Sequence, residues 1–474
     1  MSDLLIERGH LGDRQVDVRI RNGTVAEVGP GLRREGERVL DGRGRHLLPG
    51  LHDHHLHLTA LAAALASVPC GPPAIRDAHG LARALTQTPA HEWVRGTGYH
   101  ESVAGDLDRH RLDALVGARP VRVQHRSGVL WVLSSAALER SGLASSQEPG
   151  VERGPDGRAT GRLWRADALL RRSVSSALPD LGAVGRLLAS YGITGVTDAT
   201  PQLGPAGTAV LRAATADGRV PQQLTLLGAP LDQKGPGIGP YKLVLNEAAG
   251  LDLEAFRDDV QRARAAGRGV AVHCVTRAEA VVAITGLDEA GGTRGDRLEH
   301  GSVLPPECDQ QLRRLSLTVV TQPNFVAERG DDYAREVDAD DLPDLYRCGT
   351  LLARGIAVAA GTDAPYGSAD PWAAMAAAVH RRTPTGRVLG VRERLAESAA
   401  LRLFLGSAER PGGPARAIRP GQPGDVVVLS VPPREAVAAG SAACVVATVR
   451  GGELLHLAEG GGPTAAAPPA TGRA

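Results

Sequence analysis

The segment LLPGLHDHHLHL, at residues 47–58, places four histidines and an aspartate within six positions, directly after a Pro-Gly step. If this run is a β-strand, successive side chains point to opposite faces. His55 and His57 then share one face, whereas His52 and His54 lie on the other. Two imidazoles side by side are typical of a metal site, so we predict that His55 and His57 are ligands and that His52 and His54 are not.

Further polar side chains stand at the ends of apolar runs, namely Lys242 in YKLVLN, His273 in VAVHCV, His300 in RLEHGS and Asp363 in GTDAP. Taken singly, a histidine after an apolar strand is most often a hydrogen-bonded core or rim residue. The ordered combination with the His-x-His motif instead favours a divalent metal, for which Zn²⁺ is the best match to imidazole and carboxylate ligands. Three or four protein ligands would leave one position for water. The sequence leaves open whether one or two ions bind.

Lys242 needs a separate explanation, because an ammonium cannot bind a cation. The chain has only two lysines, Lys234 and Lys242, and uses arginine at every other basic position apart from histidine. A buried lysine can lose its proton, which arginine does not do. A neutral Lys242 could add carbon dioxide, and the resulting carbamate could bridge two metals. The alternative is that Lys242 simply pairs with a carboxylate.

Strand-like and helical segments alternate between residues 49 and 410, for instance GITGVTDAT, GVAVHCV and LTVVTQPNF with Ala/Leu/Arg-rich stretches between them. This alternation predicts an α/β fold, and at this length a (β/α)₈ TIM barrel. The predicted ligands follow barrel strands, where the active-site residues of this fold lie. Residues 68–185 are predicted to be an insertion over the barrel mouth.

The two chain ends resemble each other in their pattern. Residues 1–48 contain short β-strand runs with an Asn22-Gly23 hairpin turn, and residues 411–460 also place turn residues between β-branched runs. We expect both ends to pair into one small β-sandwich. The tail at 461–474 is rich in Gly, Ala and Pro and is predicted to be disordered.

The composition limits the partners. Among 474 residues, 54 Lys and Arg nearly balance 53 Asp and Glu, which argues against nucleic acid or a membrane surface and favours a small-molecule substrate. The five cysteines are scattered, without a C-x-x-C pair, so we expect a reducing compartment. The sequence has no signal-like or membrane-spanning apolar run, and a cytoplasmic protein is predicted. A homo-oligomer remains open.

LLPGLHDHHLHL, the strand lysine, VAVHC, RLEHGS and GTDAP together resemble the amidohydrolase superfamily of metal-dependent hydrolases. WVRGTGYHES, LDALVGARPVRVQHRSG, PDGRATGRLWR and DPWAAMAAAVHRRTPTG further resemble the branch that contains N-substituted formamide deformylases. The resemblance covers nearly the whole chain. It implies a (β/α)₈ barrel flanked by a β-sandwich made from both chain ends.

The resemblance also implies roles for the predicted ligands. His55 and His57 would bind a first metal, a carbamylated Lys242 would bridge two, and His273 and His300 would bind the second. The catalytic residue would be Asp363, which both binds the metal and transfers the proton. The sequence departs from the pattern at His52 and His54, where apolar or small residues are commoner, and at NEAAG after the lysine.

The implied reaction is hydrolysis of an amide-type, non-peptide or N-acyl carbon–nitrogen bond by metal-activated hydroxide. Predicted substrate contacts are Tyr99, His100, His125, Arg126, Trp164 and Asn324, whereas Asp198 and Glu299 are expected to support the ligands.

Two alternatives stay open. A deaminase of the same superfamily typically has a Glu three positions after the His273 equivalent, where this chain has Thr276. A non-catalytic binding relative should have lost ligands, which this chain retains.

Overall fold

The computed structural model describes residues 3–72, 74–87, 93–174, 180–293 and 295–459. The tail predicted to be disordered, 461–474, lies outside this part. The chain divides into two compact units, one made of Met1–Leu58 with Leu181–Ala474 and the other of Thr59–Asp180.

Both chain ends of the first unit contribute to one eight-stranded sheet. Its strands are Leu4–Leu11, Arg14–Arg21, Thr24–Gly29, Arg38–Asp41, His46–Pro49, Val426–Leu429, Val445–Arg450 and Glu453–Leu457. The two ends meet where His46–Pro49 pairs antiparallel with Val426–Leu429. Asn22 and Gly23 both have positive φ, 50° and 80°, as a two-residue hairpin with a primed turn requires. The inner face buries a continuous apolar cluster that includes Ile6, Val18 and Val428.

The rest of the first unit is an α/β structure with two all-parallel sheets. A three-stranded sheet has the order Gln223–Leu226, Ile193–Asp198, Leu51–Leu56, and a five-stranded sheet has the order Tyr241–Val244, Val270–Cys274, Arg297–His300, Thr318–Thr321, Ala357–Ala360. Backbone hydrogen bonds join residues at the edges of these sheets, from Asp363 N to His55 O at 2.8 Å and from Lys242 N to Leu227 O at 3.0 Å. These bonds connect the sheets at both edges.

Helices follow most of these strands. The α-helices are Leu181–Ser190, Gly204–Ala216, Leu253–Ala265, Arg277–Glu289, Asp309–Arg314, Asn324–Glu336, Gly349–Ala353, Pro371–His380, Glu397–Arg402 and Pro433–Ala439. Short 3₁₀ helices are Glu247–Ala249, Pro306–Cys308, Leu342–Asp344, Val391–Glu393 and Ala442–Cys444. Parallel strands covered by helices are buried on both faces, and accordingly every side chain of Leu51–Leu56 and Ile193–Asp198 is buried.

The second unit is built on a six-stranded mixed sheet with the order Val151–Arg153, Ala159–Trp164, Leu130–Leu133, Val121–His125, Val94–Tyr99, Val68–Pro69. Its helices are Ala78–Thr86, Glu101–Ala104, Arg109–Val116, Ser135–Arg140 and Asp167–Ser173, and helix Leu58–Leu65 starts at the last residue of the first unit. Strand Leu130–Leu133 alternates, so that Leu130 and Val132 enter one apolar cluster and Trp131 and Leu133 another.

All five cysteines are free and buried. Among the helices of the described residues, none combines the length and the hydropathy that a bilayer crossing requires.

Candidate metal centre

His55, His57 and Asp363 converge at the carboxyl ends of two parallel strands. His55 lies within strand Leu51–Leu56, His57 directly follows it, and Asp363 follows strand Ala357–Ala360. The Nε2 atoms of His55 and His57 lie 3.5 Å and 3.1 Å from the same atom, Asp363 Oδ1. One ligand atom from each of the three residues falls within 4.8 Å of the others, an arrangement that could hold a metal ion.

Asp53 links the strand of His55 to the turn of Asp363. Its carboxylate accepts hydrogen bonds from the Thr362 hydroxyl at 2.6 Å and from the backbone N–H groups of Thr362 and His55, both at 3.1 Å. Asp363 itself has a φ of 55°, in the left-handed region that few non-glycine residues adopt. The strand that carries His55 is therefore fixed to the turn that carries Asp363.

The remaining predicted ligands lie beside this group. The ring centroid of His300 is 4.7 Å from that of His55 and 4.5 Å from that of His273. Lys242 is buried on strand Tyr241–Val244, next to the strand of His273, and it pairs in register with Ala271. Its Nζ has no hydrogen-bond partner among the described residues. The structure therefore brings the strand-end residues singled out in the sequence into one cluster.

Three histidines of the cluster, His55, His273 and His300, are held neutral. Burial, followed by the charge of Lys242, lowers the pKa of His55 to about 4. Burial and the neighbouring His55 lower the pKa of His300 to about 3. Burial and His300 place the pKa of His273 well below its usual 6.5. Neutral imidazole is the form that binds metals, so these rings are ready to act as ligands at neutral pH.

The two other ionisable groups are shifted as well. Burial lowers the pKa of Lys242 from 10.5 to about 8, although the charge of Glu299 opposes the change. Burial would raise the pKa of Asp363, but the hydrogen bond from His57 and the adjacent His55 and His300 hold it below its ordinary value. Asp363 is thus an ionised carboxylate, and Lys242 has an accessible neutral form.

Polar contacts at the Nδ1 atoms orient the rings of the predicted ligands. The Nδ1 of His55 contacts Glu299 Oε2, and the Nδ1 of His300 lies 2.8 Å from Gln322 Oε1. A carboxylate or amide oxygen only accepts, so each ring must donate its Nδ1–H, which leaves Nε2 without a proton. Thr200 Oγ1 lies 3.1 Å from the Nδ1 of His57.

Asp198 holds the backbone segments that follow His57 and precede Thr200. Its carboxylate accepts from Leu58 N at 2.8 Å and from Thr200 N at 3.0 Å. Supporting roles were predicted from the sequence for Asp198 and Glu299, but not for Thr200 and Gln322. Their only signal in the sequence is that DAT and TQP also follow strands.

His52 and His54 lie on the opposite face of their strand. Both are buried, and their rings stack with centroids 4.5 Å apart. His52 Nε2 lies 2.9 Å from Thr197 Oγ1, whereas neither ring nitrogen of His54 has a hydrogen-bond partner among the described residues. The alternation of the strand thus separates this pair from His55 and His57.

Among the predicted substrate contacts, Asn324 belongs to the first unit. It is the first residue of helix Asn324–Glu336 and is buried beside the turn of Asp363. Its Nδ2 donates to Thr362 O at 3.1 Å, whereas its Oδ1 has no partner among the described residues. Tyr366, which was not predicted from the sequence, packs edge-on against His57 with ring centroids 5.4 Å apart.

The other five predicted contacts, Tyr99, His100, His125, Arg126 and Trp164, lie in the second unit. Tyr99 is buried and its hydroxyl donates to Gly105 O at 2.5 Å. The Nε2 of His125 lies 3.2 Å, and that of His100 3.7 Å, from one oxygen of Glu101. Trp164 is exposed and donates to Glu152. Their part in substrate binding stays a prediction.

Comparison with known proteins agrees with this geometry. The model of the amidohydrolase family matches residues 38–456. The putative amidohydrolase YtcJ of Bacillus subtilis is 25% identical over 443 residues, which cover 78% of this chain and 81% of that protein. The N-substituted formamide deformylase of Arthrobacter pascens is 24% identical over 515 residues, with 91% and 94% covered.

A solved structure shares the fold. The crystal structure of an uncharacterized metal-dependent hydrolase from Pyrococcus horikoshii superposes with a TM-score of 0.75 at 20% identity, covering 91% of this chain and 98% of that one. Taken with the family match, the fold and the cluster define a hydrolase whose site could hold a metal ion. The chain belongs to the amidohydrolase family.

Proposed function

We propose that this protein is a metal-dependent hydrolase that cleaves a non-peptide carbon–nitrogen bond of amide or N-acyl type. The observation that carries the proposal is the approach of His55, His57 and Asp363 at the carboxyl ends of parallel strands, with Lys242, His273 and His300 beside them. Relatives named as an amidohydrolase and a formamide deformylase support the type of bond.

The residues present fit a divalent metal. His55 Nε2 and Lys242 Nζ are both buried without a hydrogen-bond partner among the described residues, which is costly unless a further group binds there. We propose Zn²⁺ as the metal. His55 and His57 would hold one ion and His273 and His300 a second, and a carbamate on Lys242 would supply a further oxygen ligand. A bound ion of this kind supplies Lewis acidity for the activation of water and of the substrate carbonyl.

The proton transfers are assigned to Asp363. Its carboxylate is ionised and its Oδ1 lies 3.1 Å from the Nε2 of His57, so Asp363 is placed to take a proton from the attacking water and pass it to the departing amine. Asn324, with a buried Oδ1 available in the same region, is proposed to orient the substrate. The products would be an acid and an amine.

We also propose finer features of the fold. The two parallel sheets, which contain eight strands together and are joined by backbone hydrogen bonds at both edges, are proposed to form one closed (β/α)₈ barrel within residues 49–410. The eight-stranded sheet is proposed to be the β-sandwich predicted for residues 1–48 and 411–460, and 68–185 is proposed as the insertion. Five free, buried cysteines fit a cytoplasmic location.

Deamination is the second candidate, because it would use a similar barrel and metal site. In this chain Thr276 caps helix Arg277–Glu289, with its side chain accepting from the backbone of Glu279 and the Glu279 carboxylate accepting from the N–H of Thr276. Thr276 thus has a structural role where such deaminases typically have an acidic residue. This favours the hydrolysis of an amide over the release of ammonia from a ring.

The test combines metal analysis with a substrate panel. Purified protein should contain Zn²⁺ or take it up, lose turnover with a chelator and regain it with the ion. N-formyl, N-acyl and cyclic amides should release a primary or secondary amine. Free ammonia from aminated rings would favour deamination instead, and full metal loading without turnover of any substrate would favour a binding role.

A further inference from the structure

A buried ion pair lies directly behind His55. Glu299 and Arg297 belong to the same strand, Arg297–His300, and both are fully buried. The guanidinium of Arg297 donates through Nε to Glu299 Oε1, and the other carboxylate oxygen contacts the Nδ1 of His55. The chain of contacts therefore runs from Arg297 through Glu299 to a predicted metal ligand, 244 positions away from Glu299 in the sequence.

We propose that Glu299, held in place by Arg297, is a positioning residue that fixes the ring of His55 so that Nε2 points at the metal. This inference rests on the function proposed above. An ionised carboxylate accepts only, so His55 must carry its proton on Nδ1 and present a bare Nε2. That atom lies 3.5 Å from Asp363 Oδ1 and has no hydrogen-bond partner among the described residues.

Arg297 also holds the backbone of the same strand. Its Nη2 donates to the carbonyl oxygen of His54 at 2.7 Å, one residue before His55. Arg297 thus ties both the main chain and, through Glu299, the side chain of His55 to the strand that carries His300. Carboxylates behind metal-binding histidines are a general device for orienting the ring and raising its basicity.

The backbone conformation of His300 explains how Glu299 and His300, which are adjacent in the sequence, both approach the ring of His55. In a regular strand, Glu299 and His300 would point to opposite faces. His300 has a φ of 68°, in the left-handed region, so the regular alternation ends at this residue. Its ring lies 4.7 Å from that of His55, while Glu299 contacts the far side of the same imidazole. The local strain is therefore part of the arrangement that brings both side chains to His55.

The alternative role for Glu299 is purely structural, as a counter-ion that allows Arg297 and Lys242 to be buried. Both cations lower the pKa of Glu299 well below its usual value, against the effect of burial. A counter-ion role requires only the charge, whereas positioning requires both the charge and the length of the side chain. Shortening the side chain while keeping its charge therefore separates the two roles.

The experiment compares Glu299→Asp and Glu299→Gln with the wild type, and uses Glu393→Gln as the matched control. Glu393 is also buried in the first unit but accepts only from Thr350 among the described residues. The measured quantities are the affinity of the apo protein for Zn²⁺ by chelator competition and the visible spectrum of the Co²⁺ form. We expect both Glu299 variants to lose about 10- to 100-fold in Zn²⁺ affinity, with an altered Co²⁺ spectrum, and Glu393→Gln to bind like the wild type.

Unchanged affinity and spectrum in Glu299→Asp would overturn the positioning role in favour of the counter-ion role. If neither variant folds, the crystal structure of the metal-loaded wild type decides, because coordination through Nδ1 of His55 would contradict the proposal and coordination through Nε2 with Glu299 on Nδ1 would support it. Wild-type protein that binds metal but turns over no amide would refute the proposed function while leaving the affinity result valid.

Discussion

Replacing His54 by leucine should make the protein more resistant to acid unfolding without loss of metal. His54 is completely buried, and both of its ring nitrogens lack a partner among the described residues. Burial, followed by the charge of Arg297, holds its pKa well below the usual 6.5. The imidazole is therefore neutral in the folded protein at any pH near neutrality.

The size of the effect follows from this shift. In the unfolded chain the ring binds a proton below pH 6.5, whereas the native ring does not, so the free energy of unfolding falls as the pH falls. For a histidine that stays neutral in the native state over this range, the loss between about pH 7.5 and about pH 5 reaches its upper limit of about 2 kcal/mol. Leucine cannot bind a proton, and the variant escapes this loss. The change in packing contributes equally at both pH values, so the difference between them isolates the titration.

The assay is urea unfolding of the wild type and the variant at both pH values, together with the bound metal per chain. The wild type should lose more stability than His54→Leu on acidification, by up to about 2 kcal/mol. His110, which is exposed, offers the matched His110→Leu control for the removal of an imidazole. A parallel loss of stability in wild type and His54→Leu would refute the burial argument, and reduced metal in His54→Leu would refute the assignment of the strand faces.

Three further substitutions test the site itself. His57→Ala should lower the metal content and abolish turnover, and full metal retention would remove His57 from the ligand set. Asp363→Asn keeps the shape but cannot accept a proton, so turnover should fall by about 10²- to 10⁴-fold in a folded, metal-bound protein, and a near-normal rate would exclude Asp363 from proton transfer. Lys242→Ala should lose metal and activity and regain part of the activity with acetate or propionate, and the wild type should show a carbon-13 carbonyl signal on Lys242 after labelling with bicarbonate. An unmodified Lys242 in active, metal-loaded protein would rule out the carbamate.

The sequence alone determined much of the candidate metal centre, because strand periodicity is a local property. Alternation in LHDHHLHL was enough to predict that His55 and His57 share one face and that His52 and His54 share the other, and the structure has this arrangement. Apolar runs that end in a polar residue likewise identified His300 and its counterparts on other strands. The carboxyl ends of parallel strands meet at one edge, so these residues had to lie close together.

Only the tertiary structure decided how each ring is held and charged. Thr200 lies 143 positions from His57, and Glu299 lies 244 positions from His55, and no periodic pattern specifies contacts over such separations. The pairing of Arg297 with Glu299 and the left-handed backbone of His300 depend on the packing of neighbouring strands. The pKa of about 4 at His55 arises mainly from burial, which exists only once the chain has folded. The residue types therefore set which chemistry is possible, whereas the packing of distant strands set the protonation and orientation that make the residues usable.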